Sequence, residues 1–330
     1  MRALVVGGGS WGMAFAGVLA RAGHDVELAC RDAAAVAELT ERRASSRYLP
    51  GIRLEDGVQP VLLDLARQVP AAELVALALP ARAYAATAAA LQLRPDAYVI
   101  ALAKGLDPAT HHLLSEVVVD ATGHDARLVT PLSGPNHAEE IAVGQPAASV
   151  IASSDPDVAC VLQRALSTAT FRVYPSSDVR GVQLCGAAKN VIGIAAGICD
   201  GLGFGDNARA GLITRGLAEM TRLGAALGAD PRTYAGLAGL GDLVATCTSR
   251  HSRNHTAGVL LTQGVAPEVV EERVGMVVEG LHTAPALAAL AREAGVDLPV
   301  TDAVCSVVTG TPIPTAIATL LARAAPAGEF

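Results

Sequence analysis

A chain of 330 residues is longer than one hydrophobic core usually organises, so two domains are expected. A net charge of −7 with only 3% aromatic residues argues against a nucleic-acid partner, which would need a basic face and rings to stack on bases. The hydrophobic share of 51% is rich in Ala, which with 33 glycines suits closely packed helices. No run reads as a membrane span, because Lys189 and Asp200 interrupt the richest one.

The N-terminal apolar run is too short for a signal peptide and passes straight into a glycine turn. Arg2–Val6 has the pattern of a short buried strand, and Met13–Ala22 that of a helix. Between them lies Gly7-Gly8-Gly9-Ser10-Trp11-Gly12, a G-x-G-x-x-G turn in its strand-to-helix context. Gly7 permits the tight turn, Gly9 lets a pyrophosphate approach the backbone, and Gly12 lets helix and strand pack closely. The helix start then offers N–H groups and a positive dipole end to phosphates. After the second strand, Asp25–Ala29, come Cys30, Arg31 and Asp32. An arginine here accepts the 2′-phosphate of NADP and an acid holds the ribose of NAD. Arg31 follows the strand directly and favours NADPH, while Asp32 keeps NAD open.

Further strands are expected at Glu73–Leu79, Tyr98–Ala103, Leu128–Thr130, Ala147–Ala152 and Phe171–Tyr174. In an open parallel sheet, ligands bind beyond the carboxyl ends of the strands. Lys104 lies at such an end, as does the turn Ser133-Gly134-Pro135-Asn136, where Pro135 can start a helix. After Asp178 the pattern turns helical, through Lys189, then Ala208–Leu227 and Leu281–Ala294. The expected architecture is α/β: a Rossmann-type, mostly parallel sheet over residues 1–177, followed by an all-helical domain over 178–330. The tail Ala324–Phe330 reads as frayed.

Within the helical half, Gly181–Gly205 is an apolar stretch that carries Lys189 and Asn190 in its first half. Of the chain's 25 basic residues only Lys104 and Lys189 are lysines. An amine can release its proton near neutral pH and a guanidinium cannot, so these two positions mark candidate proton chemistry. Asp242 follows Gly239-Leu240-Gly241 and could orient Lys189 or cap a helix. From Thr246 to Asn254, hydroxyls, two arginines and an amide form a candidate oxyanion-binding segment. Six cysteines lie scattered without CxxC or metal-ligand spacing and are expected as reduced thiols of a cytoplasmic protein, with no metal site.

Taken together, GGGSWG (7–12), RYLPGI (47–52), KG (104–105), LSGPNHAEEIAVGQPA (132–147), FRVY (171–174), the run 187–220, GLGDLVATCTSRHSRN (239–254) and VVEG (277–280) closely resemble the bacterial NAD(P)-dependent glycerol-3-phosphate dehydrogenases. The resemblance implies that Lys189 is the acid/base and that Lys104 touches substrate and cofactor. It places Gly134, Asn136, Asp242, Ser252, Arg253 and Asn254 at the substrate, with Asn190 and Thr246 as further contacts. Ser10, Trp11, Arg31, Ala138, Val277 and Glu279 match cofactor positions, and Arg253 would reach the cofactor as well. The implied reaction reduces dihydroxyacetone phosphate to sn-glycerol 3-phosphate for phospholipid synthesis. A homodimer is compatible with it. Departures at Asn136-His137, Cys185–Asn190, Cys30 and His255 remove no charged group that the chemistry needs. A hydroxyacid or ketopantoate-type reductase, or a non-catalytic dinucleotide sensor, would account for part of the pattern only.

Overall fold

Short runs of Val, Leu, Ile and Ala, bounded by glycine, proline or charge, build the strands of the N-terminal half, and most are buried on both faces as a parallel sheet requires. The computed structural model describes residues 1–323, so the tail Ala324–Phe330 lies outside the described residues. The chain divides into two compact units. The first holds residues 1–103 and 112–182, the second residues 104–111 and everything from Gln183 on. The division between these compact units falls inside a helix, and the eight residues after Ala103 join the second unit.

The first unit opens with β1 (Arg2–Val6), α1 (Ser10–Arg21), β2 (Asp25–Cys30), α2 (Ala33–Arg42) and β3 (Val58–Leu62). It continues through α3 (Leu65–Gln68), β4 (Leu74–Leu77), α4 (Tyr84–Ala88), β5 (Tyr98–Ala101) and α5 (Leu114–Thr122). Then come β6 (Val129–Ser133), α6 (Ala138–Ala142), β7 (Ala147–Ala152), α7 (Pro156–Leu166) and β8 (Phe171–Ser176). The strands form one sheet in the order β3-β2-β1-β4-β5-β6-β7-β8. All neighbours are parallel except β6 and β7. The first six strands thus follow the Rossmann order.

Alternation along β1 explains the layering. Ala3 and Val5 pack with Met13, Phe15, Val18 and Leu19 of α1, while Leu4 and Val6 face Tyr84 and Ala88 of α4 and Val118 of α5. Strand β3 carries no recognisable strand pattern, because Pro60 sits at its centre. The strand tolerates a proline because it is an edge and pairs with β2 alone. The opposite edge, β8, carries Pro175.

The second unit is helical: α8 (Val179–Gly201, which starts in the first unit), α9 (Asp206–Ala226), α10 (Pro231–Tyr234), a π-helical turn (Leu237–Gly241) and α11 (Asp242–Thr248). After these come α12 (Arg253–Thr262), α13 (Pro267–Val274), α14 (Glu279–Glu293), α15 (Pro299–Val308) and α16 (Ile313–Leu321). Among the described residues no strand follows Ser176. Helix α8 is long and apolar enough to cross a membrane, but 94% of its most apolar window is buried inside the protein. It is apolar on every side because every side is covered. Its backbone touches that of α12, where a methyl on Gly197 would overlap the His255 carbonyl and one on Gly258 the Ile194 carbonyl.

A buried acid fastens α9 to α15. Glu219 accepts hydrogen bonds from Val300 N at 2.6 Å and Thr301 N at 3.2 Å, amides of the first turn of α15 that have no partner within their own helix. Burial pushes its carboxyl from the ordinary 4.5 up to about 7, against the pull of those donors. Between these values the folded chain keeps a proton that the unfolded chain has released, so stability falls as pH rises through the window. Glu219→Gln does not titrate. Urea unfolding at pH 5 and pH 8 should show wild type losing up to about 3 kcal/mol relative to the variant. Parallel losses in the two proteins would contradict this account of Glu219.

Candidate active site

In the first unit the glycine turn is built by close packing. Gly7 has φ +117°, and a methyl on Gly12 would overlap the Gly7 carbonyl. Gly7 N donates to Ala29 O at 2.9 Å, and Gly9 O accepts the Met13 N–H, so the turn is tied to β2 and to α1. Ser10 and Trp11 form the first turn of α1, with the Trp11 ring 5.8 Å from that of Phe15. A turn stripped of side chains at a helix N-terminus is the cradle a pyrophosphate requires, and the residues present fit a dinucleotide. Arg31 is exposed immediately beyond β2. The Asp32 carboxylate instead accepts Ala34 N at 2.9 Å and caps α2.

At the end of β6, Gly134 has φ +149°, and a side chain there would press on the Ala148 carbonyl and Ser149. Asn136 Nδ2 donates to Ser149 Oγ at 3.1 Å. The helix after this turn begins at Ala138 with His137 as its N-cap, not at Pro135. Gly134, Asn136 and Ala138 belong to the first unit, as do the glycine turn and Arg31.

The second unit gathers the other candidates around one carboxylate. Asp242 Oδ2 accepts from Lys104 Nζ at 2.6 Å, and Oδ1 accepts from Lys189 Nζ at 2.9 Å. Lys189 also donates to Thr246 Oγ1 at 2.6 Å. The side chains are 15%, 9% and 4% exposed for Lys104, Lys189 and Asp242, so water screens these pairs little. Asp242 and Thr246 stand four residues apart on α11 and therefore face α8 together. The π-helical turn just before Asp242 inserts extra residues into the helical path, a device common at functional sites.

Burial pushes Lys104 down to about 8, and the Asp242 carboxylate limits the fall. Burial opposes the charge on Asp242 too, yet Lys104 and Lys189 outweigh it and hold that carboxyl below its ordinary value. The cluster carries two ammonium groups and one carboxylate. Its net positive charge suits an anionic ligand or an oxygen that gains charge during reaction.

Asn190 follows Lys189 on α8, and its side chain donates to the Lys104 carbonyl at 2.7 Å. Asn254 donates to Asn190 Oδ1 at 2.8 Å. Ser252 caps α12 by accepting His255 N, and exposed Arg253 donates to the Val277 carbonyl at 3.0 Å. Glu279 opens α14 two residues beyond Val277. Two features escaped sequence reasoning. Gly280 N donates to Asn254 Oδ1 at 2.9 Å, and Asp200 receives both His255 and Arg209, at 2.8 and 3.1 Å. An acid in the apolar α8 was the available signal for the second; no spacing announced the first.

Residues 3–159 match the family profile described as the NAD-dependent glycerol-3-phosphate dehydrogenase N-terminus, and residues 178–319 that of its C-terminus. The chain is 45% identical to glycerol-3-phosphate dehydrogenase [NAD(P)+] of Geobacillus kaustophilus over 92% of this chain and 89% of that one. It is 46% identical to the Streptomyces griseus protein of the same name, covering 93% and 92%. The crystal structure of glycerol-3-phosphate dehydrogenase from Coxiella burnetii superposes with a TM-score of 0.91 at 35% identity, covering 98% of this chain and 99% of that one. A ketopantoate reductase from Ralstonia eutropha, at 17% identity and a TM-score of 0.59, shares the fold alone.

Proposed function

This chain belongs to the NAD-dependent glycerol-3-phosphate dehydrogenase family, and from that premise we propose how its residues interconvert dihydroxyacetone phosphate and sn-glycerol 3-phosphate. A bound nicotinamide dinucleotide supplies or accepts the hydride. The observation that carries the assignment of roles is the sharing of Asp242 by both of the chain's lysines.

An ammonium has three N–H donors, and Lys189 gives two of them to Asp242 and Thr246. The third serves the C2 carbonyl oxygen. Lys189 donates a proton there as negative charge develops, and in the oxidative direction it takes the proton back. Lys104 adds positive charge towards the same oxygen or the phosphate. Asp242 holds both ammonium groups in place. The phosphate falls to the start of α12, where the helix N-terminus and the Arg253 guanidinium with Ser252 and Asn254 offer convergent donors. Gly134 and Asn136 complete the substrate set. Gly7, Gly9, Gly12, Ser10, Trp11, Ala138, Val277 and Glu279 serve the dinucleotide.

We assign NADPH as the preferred cofactor. The support is local: Arg31 is exposed at the end of β2, and the Asp32 carboxylate is already engaged in capping α2. A cytoplasmic homodimer supplying phospholipid synthesis is the setting proposed. Initial rates with dihydroxyacetone phosphate, against unphosphorylated dihydroxyacetone, test the substrate; equal rates would remove the phosphate site. Arg31→Asp should lower the NADPH-to-NADH ratio of kcat/KM by roughly 10- to 100-fold, the worth of a charge-assisted contact. An unchanged ratio would show that Arg31 does not read the 2′-phosphate.

A further inference from the structure

Lys104 is held at two points. Its ammonium rests on Asp242, and its carbonyl receives the Asn190 side chain. The second contact is the end of a chain of hydrogen bonds that begins 176 positions away in sequence at Gly280: Gly280 N to Asn254 Oδ1, Asn254 Nδ2 to Asn190 Oδ1, and Asn190 Nδ2 to Lys104 O, at 2.9, 2.8 and 2.7 Å.

The direction of this chain is fixed chemically. Its first group is a backbone N–H, which can only donate, and its last is a carbonyl, which can only accept. With both ends fixed, neither amide can turn over without setting two donors or two acceptors face to face. Asn190 and Asn254 are only 3% and 9% exposed, so water does not readily replace a lost partner. Gly280 lies in the first turn of α14, whose Val278 N-cap has no side-chain bond, and its N–H has no acceptor within that helix. A methyl on Gly280 would stand 2.7 Å from both Asn254 Oδ1 and the Asn190 carbonyl.

We propose that Gly280, Asn254 and Asn190 form a positioning relay that holds the Lys104 main chain so that its ammonium stays on Asp242 beside Lys189. Lys104 needs such an anchor. It opens a segment, residues 104–111, whose neighbours on both sides in sequence belong to the other unit. This inference rests on the reading of Lys104 as a charge that serves the reacting substrate. Gly280 itself touches no substrate in that scheme. It acts through two amides.

The composition supplies a direct probe, since the chain has only two lysines. Protein labelled with 13C at lysine Cε gives two side-chain signals, so that of Lys104 can be followed on its own as pH changes. The groups around the Lys104 ammonium are Asp242, Lys189 and Arg253. In Gly280→Ala and in Asn254→Ala, the Lys104 midpoint should leave its wild-type value and move towards that of a solvated lysine by roughly a pH unit or more. kcat should fall roughly 10- to 100-fold, as misplacement of a reacting group does.

A Lys104 midpoint that stays at its wild-type value in both variants overturns the relay, whatever the turnover. A midpoint that moves while kcat stays unchanged upholds the relay and overturns the role given to Lys104. The wild-type protein gives an independent reading through its four asparagines. With 15N-labelled asparagine, the Asn190 and Asn254 side-chain amides should exchange with solvent far more slowly than an exposed amide. Fast exchange at both would contradict the relay without any variant.

Discussion

Lys189→Arg is expected to lower kcat roughly 10²- to 10⁴-fold while the dinucleotide still binds. The substitution keeps a positive charge in the same helix, so it separates charge from proton transfer. A guanidinium stays protonated at any working pH and offers its donors in a rigid plane. It can neither accept the hydroxyl proton in the oxidative direction nor reproduce the contacts of one ammonium with Asp242 Oδ1 at 2.9 Å and Thr246 Oγ1 at 2.6 Å. Single-turnover rates with saturating NADPH, alongside nucleotide binding by fluorescence, measure the two properties separately. Near-normal turnover in this variant would remove Lys189 as the acid/base.

Asp242→Asn is expected to be nearly as damaging to catalysis and more damaging to the fold. The carboxylate is 4% exposed and lies within 2.9 Å of both ammonium groups. Replacing it by an amide leaves two buried like charges without their counter-ion, a loss on the order of 3–5 kcal/mol. The pH dependence follows from Lys104. Burial already lowers it from 10.5 to about 8, and the loss of Asp242 should lower it further. A lysine whose folded value lies below its unfolded one binds fewer protons when folded, so its contribution to stability rises with pH through that window. The window opens at lower pH in the variant. Its deficit against wild type in urea unfolding should therefore narrow from pH 6 to pH 9. A deficit that stays constant, or widens, would mean that Lys104 does not depend on Asp242.

The chemistry was more legible in the sequence than the mechanics. The glycine turn could be read because its spacing sits between a strand pattern and a helix pattern, and each glycine has a separate steric reason. Lys189 stood out because lysine is scarce here and because a charge in an apolar helix must be explained. Asp242 left two readings open, and the structure chose between them: Gly241 precedes α11 while the Asp242 side chain turns to the two lysines. By contrast β3 was hidden, since the same Pro60 that forbids a central strand is permitted at an edge, and edge position is a property of the whole sheet. The attachment of Lys104 to the second unit was equally hidden, because its short segment, residues 104–111, is flanked in sequence by residues of the first. So was the relay from Gly280, which exists only once α8, α12 and α14 pack.

The central claim is that this chain moves a hydride to C2 of a phosphorylated ketone, and isotope transfer tests it most directly. Wild-type protein is incubated with dihydroxyacetone phosphate and NADPH carrying deuterium at both C4 positions, and the product is read by mass spectrometry and NMR. The account predicts sn-glycerol 3-phosphate with one deuterium at C2 and none elsewhere. Nucleotide oxidation without label at C2, or no oxidation by protein shown to bind NADPH, would contradict it.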